Sequence, residues 1–297
     1  MTPAARVQAA IEVLDLVLEA ARSGGASADR IIGDWFRTRR FAGSGDRRAV
    51  RELAYGAIRA CGEVPVSGRA AMLLLARGDA ALASLFDGSR HAPAPIEADE
   101  PVAEPGVAPA WLVDALAQSG ITGEDAAALL GRAPLDVRIN RLKSAPPDLE
   151  IAGEPTAAPD ALRFPAGTPV EQWAAYKTGL IEVQDSGSQL ACMAVEAHPG
   201  ETVIDLCAGA GGKTLALASA MAGRGRLIAA DTDRARLSRL APRAERAGAV
   251  FIETCLLNPG REAEALAAHI GKADAVLVDA PCSGTGTWRR NPEARWR

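Results

Sequence analysis

Residues 205–214, Asp-Leu-Cys-Ala-Gly-Ala-Gly-Gly-Lys-Thr, follow the apolar run Thr202-Val-Ile-Asp-Leu206 and lead into a helix predicted over 215–221. An apolar run of strand length, a glycine turn and a helix make the opening of a strand–helix–strand unit. The chain repeats the alternation. A strand at 226–231 (RLIAAD) precedes a helix over 234–248, and a strand at 250–254 precedes a helix over 262–270. Residues 273–279 (ADAVLVD) read as a fourth, buried strand. Strands and helices alternating at this spacing predict an α/β domain with a parallel, doubly wound sheet. Right-handed connections then put the glycine turn at the carboxyl edge of the sheet, where ligands bind in such folds.

Gly209, Gly211 and Gly212 permit a tight bend and close approach of backbone to a ligand, and the following helix offers unpaired N–H groups. Several nucleotide-type readings compete here. The dinucleotide pattern Gly-x-Gly-x-x-Gly lacks its third glycine. The phosphate-loop pattern fits at Gly212-Lys213-Thr214, but Cys207 stands where its first glycine belongs, and ADAVLVD would pass for its magnesium-holding strand. Asp205 at the strand end weighs against phosphate, which it would repel, and suits an amino group or a cationic ligand. Asp231 ends the next strand, nineteen residues past Gly212. A carboxylate there can accept both hydroxyls of a ribose; the alternative is a helix cap, a role that Asp233 fits better.

The run Asp279-Ala-Pro-Cys282-Ser-Gly-Thr-Gly-Thr-Trp-Arg-Arg-Asn-Pro292 is the most specific in the chain. It directly follows the fourth strand, so Asp279 and Cys282 belong to the same sheet edge as the glycine turn, with Pro281 fixing the backbone between them. A thiol beside a carboxylate and a ligand loop is a candidate nucleophile or leaving-group partner. The alternative, a small buried hydrophobe, sits poorly among polar and glycine neighbours.

Outward from this region the texture changes. Residues 110–183 mix short helices (111–118, 124–131) with alternating strands (135–142, 180–183) and read as a small α+β module. Residues 91–109, rich in Pro, Ala and acids without period, read as a linker or an extended crossing segment. Residues 3–88 are helical throughout: Val7, Ile11, Leu14, Val17 and Leu18 recur on one helix face. The whole chain has 297 residues and a net charge of −4, which argues against a body coated in nucleic acid. Charge is nevertheless local. Residues 34–51 hold six Arg (Arg37, Arg39 and Arg40 among them) against two Asp, and 289–297 hold four (Arg289, Arg290, Arg295, Arg297) against one Glu. Two such patches fit contact with RNA at defined places. The five cysteines are scattered without metal-ligand spacing, so no metal is expected, and with no export signal they read as reduced cytoplasmic thiols.

The stretches DLCAGAGGKT, AADTDRARLSRL and LVDAPCSGTGTWRRNPEARW resemble the first, second and fourth motifs of the RsmB/Nop/Sun family of RNA cytosine-carbon-5 methyltransferases. QDSGSQL (184–190) resembles the lead-in to that family's catalytic domain, PLDVRIN (134–140) its small RNA-binding subdomain, and 3–88 an all-helical NusB-like domain. The resemblance implies a NusB-like RNA-binding domain over 1–90, a linker over 91–109, a small α+β RNA-binding subdomain over 110–183, and a Rossmann-like class I methyltransferase domain over 184–297 whose sheet is incomplete. It implies transfer of a methyl group from S-adenosylmethionine to carbon 5 of a cytosine in small-subunit ribosomal RNA; the chain is expected to be a monomer. Asp205 and the loop Cys207, Ala208, Gly209, Ala210, Gly211, Gly212 and Lys213 would hold the cofactor, Asp231 its ribose, and Asp279 would lie against cofactor and cytosine, with Lys213 also at the cytosine. In this family the attacking thiol belongs to a later Thr-Cys-Ser motif, and Cys282 helps release product. Residues 1–297 contain no Thr-Cys-Ser, so these residues alone are expected to be inactive. Two departures stand out: Ala210 replaces a common proline, and ETCLLN (253–258) lacks the family's acid after the third strand, leaving Cys255 and Leu256 there. A non-catalytic RNA-binding protein and a phosphate-loop nucleotide hydrolase remain as other readings.

Overall fold

The computed structural model describes residues 1–144, 147–282 and 284–297. The chain forms two compact units, one of residues 1–133 with 283–297, the other of 134–282.

The first unit is helical: α1 (Pro3–Ser23), α2 (Ala28–Arg37), α3 (Ser44–Ala60), α4 (Gly68–Arg77), α5 (Ala80–Ala83), α6 (Ala110–Gln118) and α7 (Gly123–Ala128). Thr2 Oγ1 accepts from Ala5 N at 3.2 Å to open α1, Pro3 occupies its first turn, and Gly24 closes it in the left-handed region at φ 68°. The predicted face, Val7, Ile11, Leu14, Val17 and Leu18, is buried against α3 and α4. Gly68 is required where α4 meets α1, since a Cβ there would stand 2.4 Å from Ile11 O. Residues 91–109 pack on this unit rather than tethering it. Arg69 clasps Glu100 through two hydrogen bonds of 2.5 and 2.7 Å, Ala103 is buried, and Gly62 N donates to Glu104 O at 3.0 Å. Of the two readings, linker or extended crossing segment, the second describes it: a strap fixed by Arg69 of α4 and by backbone bonds to Gly62 and Ala70. Residues 110–133, grouped by texture with the α+β module, also belong here.

The second unit holds two sheets. The first is antiparallel, in the order β2-β3-β1-β4, from β1 (Leu135–Ile139), β2 (Glu154–Pro155), β3 (Ala161–Phe164) and β4 (Ile181–Val183), with α8 (Ala174–Lys177) between β3 and β4. β1 and β4 were expected; β2 and β3 are too short to show an alternating pattern. After α9 (Ser186–Met193) comes the parallel sheet, β5 (Thr202–Asp205), β6 (Arg226–Asp231), β7 (Ile252–Leu256) and β8 (Ala275–Leu277), in the order β7-β6-β5-β8. Its helices are α10 (Gly212–Ala220), α11 (Arg234–Leu237), α12 (Leu240–Ala247) and α13 (Glu262–Leu266). The helix expected over 234–248 is thus two, and β7 starts two residues later than expected, leaving Val250 exposed. β8 is an exposed, apolar edge strand, as the incomplete sheet led one to expect: Val276 and Val278 are 51% and 57% exposed, because β5 is its ladder partner and no described strand flanks its other side. The order reverses at β5, since the chain runs outward through β6 and β7 and returns to β8. The carboxyl ends of β5 and β8 therefore flank a topological switch point.

Candidate cofactor site

The turn after β5 is held by both neighbouring strands. Leu206 N donates to Leu277 O of β8 at 2.9 Å, and Ala208 N donates to Ala230 O of β6 at 2.9 Å. Gly211 takes φ 86° to open α10, and a Cβ on it would collide with Leu240 at 2.1 Å, so both conformation and space demand glycine. A Cβ on Gly209 or Gly212 would meet nothing within 4 Å. The turn is open above those two residues, where a ligand can lie against the backbone.

Three carboxylates ring it. Asp205, at the end of β5, is fully buried; Oδ2 accepts from Thr214 Oγ1 at 2.7 Å, while Oδ1 has no partner. Burial raises the Asp205 carboxyl above the ordinary aspartate range, against the smaller opposing pull of the Thr214 hydrogen bond. Asp231 accepts from Gly209 N through Oδ2 and from Asp233 N through Oδ1, both at 2.7 Å. It therefore ties the end of β6 to the turn, while Asp233 caps α11 by accepting from Ala235 N and Arg236 N, the cap role that the sequence assigned to it. Asp279 follows β8 and accepts from Lys213 Nζ at 2.6 Å. The Cys207 thiol registers all three: burial raises its pKa first, then the charges of Asp231, Asp205 and Asp279 raise it further. Cys282 is exposed on the same segment as Asp279, and Ser283 beside it lies outside the described residues.

These features fit a cofactor with a positive centre and a ribose. Asp205 Oδ1 lacks a donor, which an ammonium group supplies, and the open backbone at Gly209 and Gly212 is the bed for the rest. A polyphosphate would meet repulsion from all three acids.

Sequence reasoning missed the brace behind the turn. Arg243 on α12 donates to Ala210 O at 2.7 Å and to Glu182 Oε2 at 3.0 Å, while Arg246 donates to Glu182 Oε1 at 2.5 Å. Glu182 lies on β4 and is 2% exposed. Its one signal was an acid inside an apolar strand. Arg243 thereby fixes the carbonyl at the centre of the turn.

The expected RNA-facing arginines divide. Arg40 and Arg290 are exposed. Arg37 pairs with Asp34, and Arg39 lies 3.8 Å over the Trp35 ring. Arg289 donates to the carbonyls of Gly131 and Arg132 at 3.3 and 3.1 Å. Arg295 corrects the expectation of a basic tail. It is 1% exposed and donates to Ile58 O and Cys61 O, both at 2.6 Å. Its neighbour Glu293 accepts from Ala28 N at 2.9 Å, and Trp296 joins the core built on α1 and α3. Arg297 donates to the carbonyls of Gly25 and Ala26. Arg289, Arg295 and Arg297 thus bond backbone carbonyls at or just past helix ends, a pattern that charge counting does not detect.

The family model for the 16S rRNA methyltransferase RsmB/F matches residues 192–297, the stretch carrying the turn, Asp231, Asp279 and Cys282. That stretch belongs to the RsmB/Nop/Sun family. Among relatives similar to the chain, "Ribosomal RNA small subunit methyltransferase B" of Citrobacter koseri is 33% identical over 63% of this chain and 45% of its own length. "Probable ribosomal RNA small subunit methyltransferase B" of a Synechocystis strain is 33% identical over 64% of this chain and 45% of its own length. The chain thus spans less than half the length of these RsmB/Nop/Sun relatives. The crystal structure of the protein PH0851 superposes over 100% of this chain and 78% of its own with a TM-score of 0.67; at 20% identity it speaks to the fold alone. Among the described residues no helix is long and apolar enough to cross a membrane, and no cluster of His, Cys, Asp and Glu could hold a metal ion.

Proposed function

We propose that the chain supplies the cofactor turn and part of the cytosine pocket of an S-adenosylmethionine-dependent RNA (cytosine-5) methyltransferase that acts on small-subunit ribosomal RNA. The observation that carries this reading is the convergence of Asp205, Asp231 and Asp279 on one open glycine turn, with an unpartnered oxygen on Asp205. The cofactor supplies the methyl group. Asp205 holds its amino group, Asp231 has remaining lone pairs for the ribose hydroxyls, and the backbone from Cys207 to Lys213 lies along it. Lys213 and Asp279, joined to each other, form the polar wall against the base. Carbon 5 of cytosine is a poor nucleophile until a thiolate adds to carbon 6, and a carboxyl at the ring nitrogen supports the accompanying charge shift. Asp279 takes that place. Cys282 on the same segment serves departure of the product, the attacking thiol belonging to a Thr-Cys-Ser motif that residues 1–297 do not contain. The helical unit, read as NusB-like, adds RNA contacts through Arg37, Arg39 and Arg40, with Arg289 and Arg290 on the tail.

Titration calorimetry with S-adenosylmethionine, against ATP with magnesium, tests the cofactor. Binding of the first and silence with the second is expected; the reverse would establish a phosphate-loop hydrolase. A labelled-methyl transfer assay on unmodified ribosomal RNA tests the chemistry, and the 297-residue chain is expected to show no turnover. Turnover that disappears in Cys282→Ala would instead make Cys282 the nucleophile.

A further inference from the structure

Arg138 lies on β1 with only 4% of its surface exposed. Nε donates to Gln184 Oε1 at 2.8 Å, but Nη1 and Nη2, shielded from solvent, have no acceptor. A buried guanidinium with two idle nitrogens is costly unless something pairs with it. The carboxylates whose fields it feels are already engaged. Glu182 gives one oxygen to Arg243 and the other to Arg246, and Asp160 accepts from Arg141 at 2.7 Å. Three guanidiniums therefore share the single charge of Glu182, and burial pushes that of Arg138 below the usual arginine range.

Arg138 is among the residues that line a cavity of about 220 Å³, with Arg141, Asp160, Gln189, Cys192 and Ser219 among the others. That is several times the roughly 30 Å³ share of a water in the liquid, so a polyatomic group fits. Gln189 sharpens the chemistry. Its Nε2 donates to Val137 O and Gln184 O, while Oε1 is buried without a partner and needs a donor.

We propose that this cavity is an oxyanion site that takes a phosphate group, with Arg138 as its fork and Gln189 Oε1 accepting from a hydroxyl beside the phosphorus. The planar guanidinium matches two phosphate oxygens at once. Hydrogen phosphate carries the required hydroxyl itself, and in RNA the ribose 2′-hydroxyl next to a backbone phosphate supplies it. Arg141, on the cavity wall, adds charge, and its pairing with Asp160 keeps the site from being strongly cationic when empty. No residue of 205–214 lines the cavity, and binding there does not depend on methyl transfer.

The test titrates the 297-residue chain with sodium phosphate at constant ionic strength, followed by calorimetry and by phosphorus NMR. Saturable binding at one site is expected, weakened at least tenfold in Arg138→Gln and less in Arg138→Lys. If circular dichroism shows that Arg138→Gln does not fold, Arg141→Gln, a change at a solvent-facing side chain, is expected to weaken binding several-fold with the fold intact. An RNA oligonucleotide that displaces phosphate identifies a backbone phosphate as the occupant, and persistence of bound phosphate identifies the free ion. Absence of saturable phosphate binding overturns the proposal. So does an affinity unchanged in both variants. Failure of S-adenosylmethionine binding would leave it standing, because the titrated ligands differ.

Discussion

Lys213 Nζ lies 2.6 Å from Asp279 Oδ2, joining the first turn of α10 to the segment after β8 across 66 residues of sequence. The pair closes one side of the glycine turn with opposite charges. Asp279 is half exposed, so water screens the attraction and the pair contributes little to folding, about 0–1 kcal/mol. Asp279→Ala is therefore expected to leave the melting temperature nearly unchanged while weakening S-adenosylmethionine binding about tenfold. Calorimetry and a thermal melt on the same sample check both halves. A large drop in melting temperature with unchanged affinity would assign the pair to stability instead.

Asp231 is expected to behave differently, because both its oxygens already hold backbone N–H groups at 2.7 Å. Asp231→Ala frees Gly209 N and Asp233 N and removes the charged acceptor for a ribose. The expected loss in cofactor binding is roughly 2–4 kcal/mol, the range for losing charge-assisted hydrogen bonds. Asp231→Asn, which keeps one oxygen acceptor, is expected to lose less. Equal affinity in all three proteins would remove Asp231 from the site.

Arg295 and Arg40 separate stability from RNA contact. Arg295→Ala leaves the carbonyls of Ile58 and Cys61 without their donor in a buried place, which costs about 2–4 kcal/mol. Chemical denaturation of the helical unit reads this directly. Arg40→Glu, at an exposed position, is expected to leave denaturation unchanged, to lower RNA affinity and to flatten its dependence on salt. RNA affinity insensitive to salt in the unchanged protein would count against the arginines of 34–51.

Acid is expected to loosen the strap over 91–109. The Arg69 guanidinium beside Glu100 holds its carboxyl down at about 2, against an ordinary value of 4.5. A lowered carboxylate pKa stabilises the folded form above the unfolded value, and that contribution fades as pH falls from about 4.5 toward 2. Hydrogen exchange at Ala103 N, which donates to Ala70 O, is expected to quicken across that window and to lose this pH dependence in Glu100→Gln. Exchange rates that, once corrected for intrinsic chemistry, do not change below pH 4.5 would contradict it.

Much of the parallel sheet was legible because its signals are local. A strand, a glycine turn and a helix are each written in a few adjacent residues, and so are the acids that end strands: Asp205, Asp231 and Asp279 stood out from position alone. The small sheet was only half legible. β2 has two residues and β3 four, too few for a period of two to declare itself, and their pairing with β1 depends on partners far along the chain.

The sequence by itself determined which residues ring the glycine turn, since the parallel sheet must bring the carboxyl ends of its strands to one edge. Tertiary structure alone decided which charges are spent inside the protein. Six arginines near one another in sequence look alike to a count, and so do four at the tail. Yet Arg295 ends buried on the carbonyls of α3, Arg243 on the carbonyl of Ala210, and Arg138 with two nitrogens idle beside a cavity. The reason is physical: a guanidinium is a long, flexible donor that bonds whatever acceptor the folded chain carries to it. For Arg295 and Arg243 those acceptors include backbone oxygens whose positions exist only once distant segments have packed.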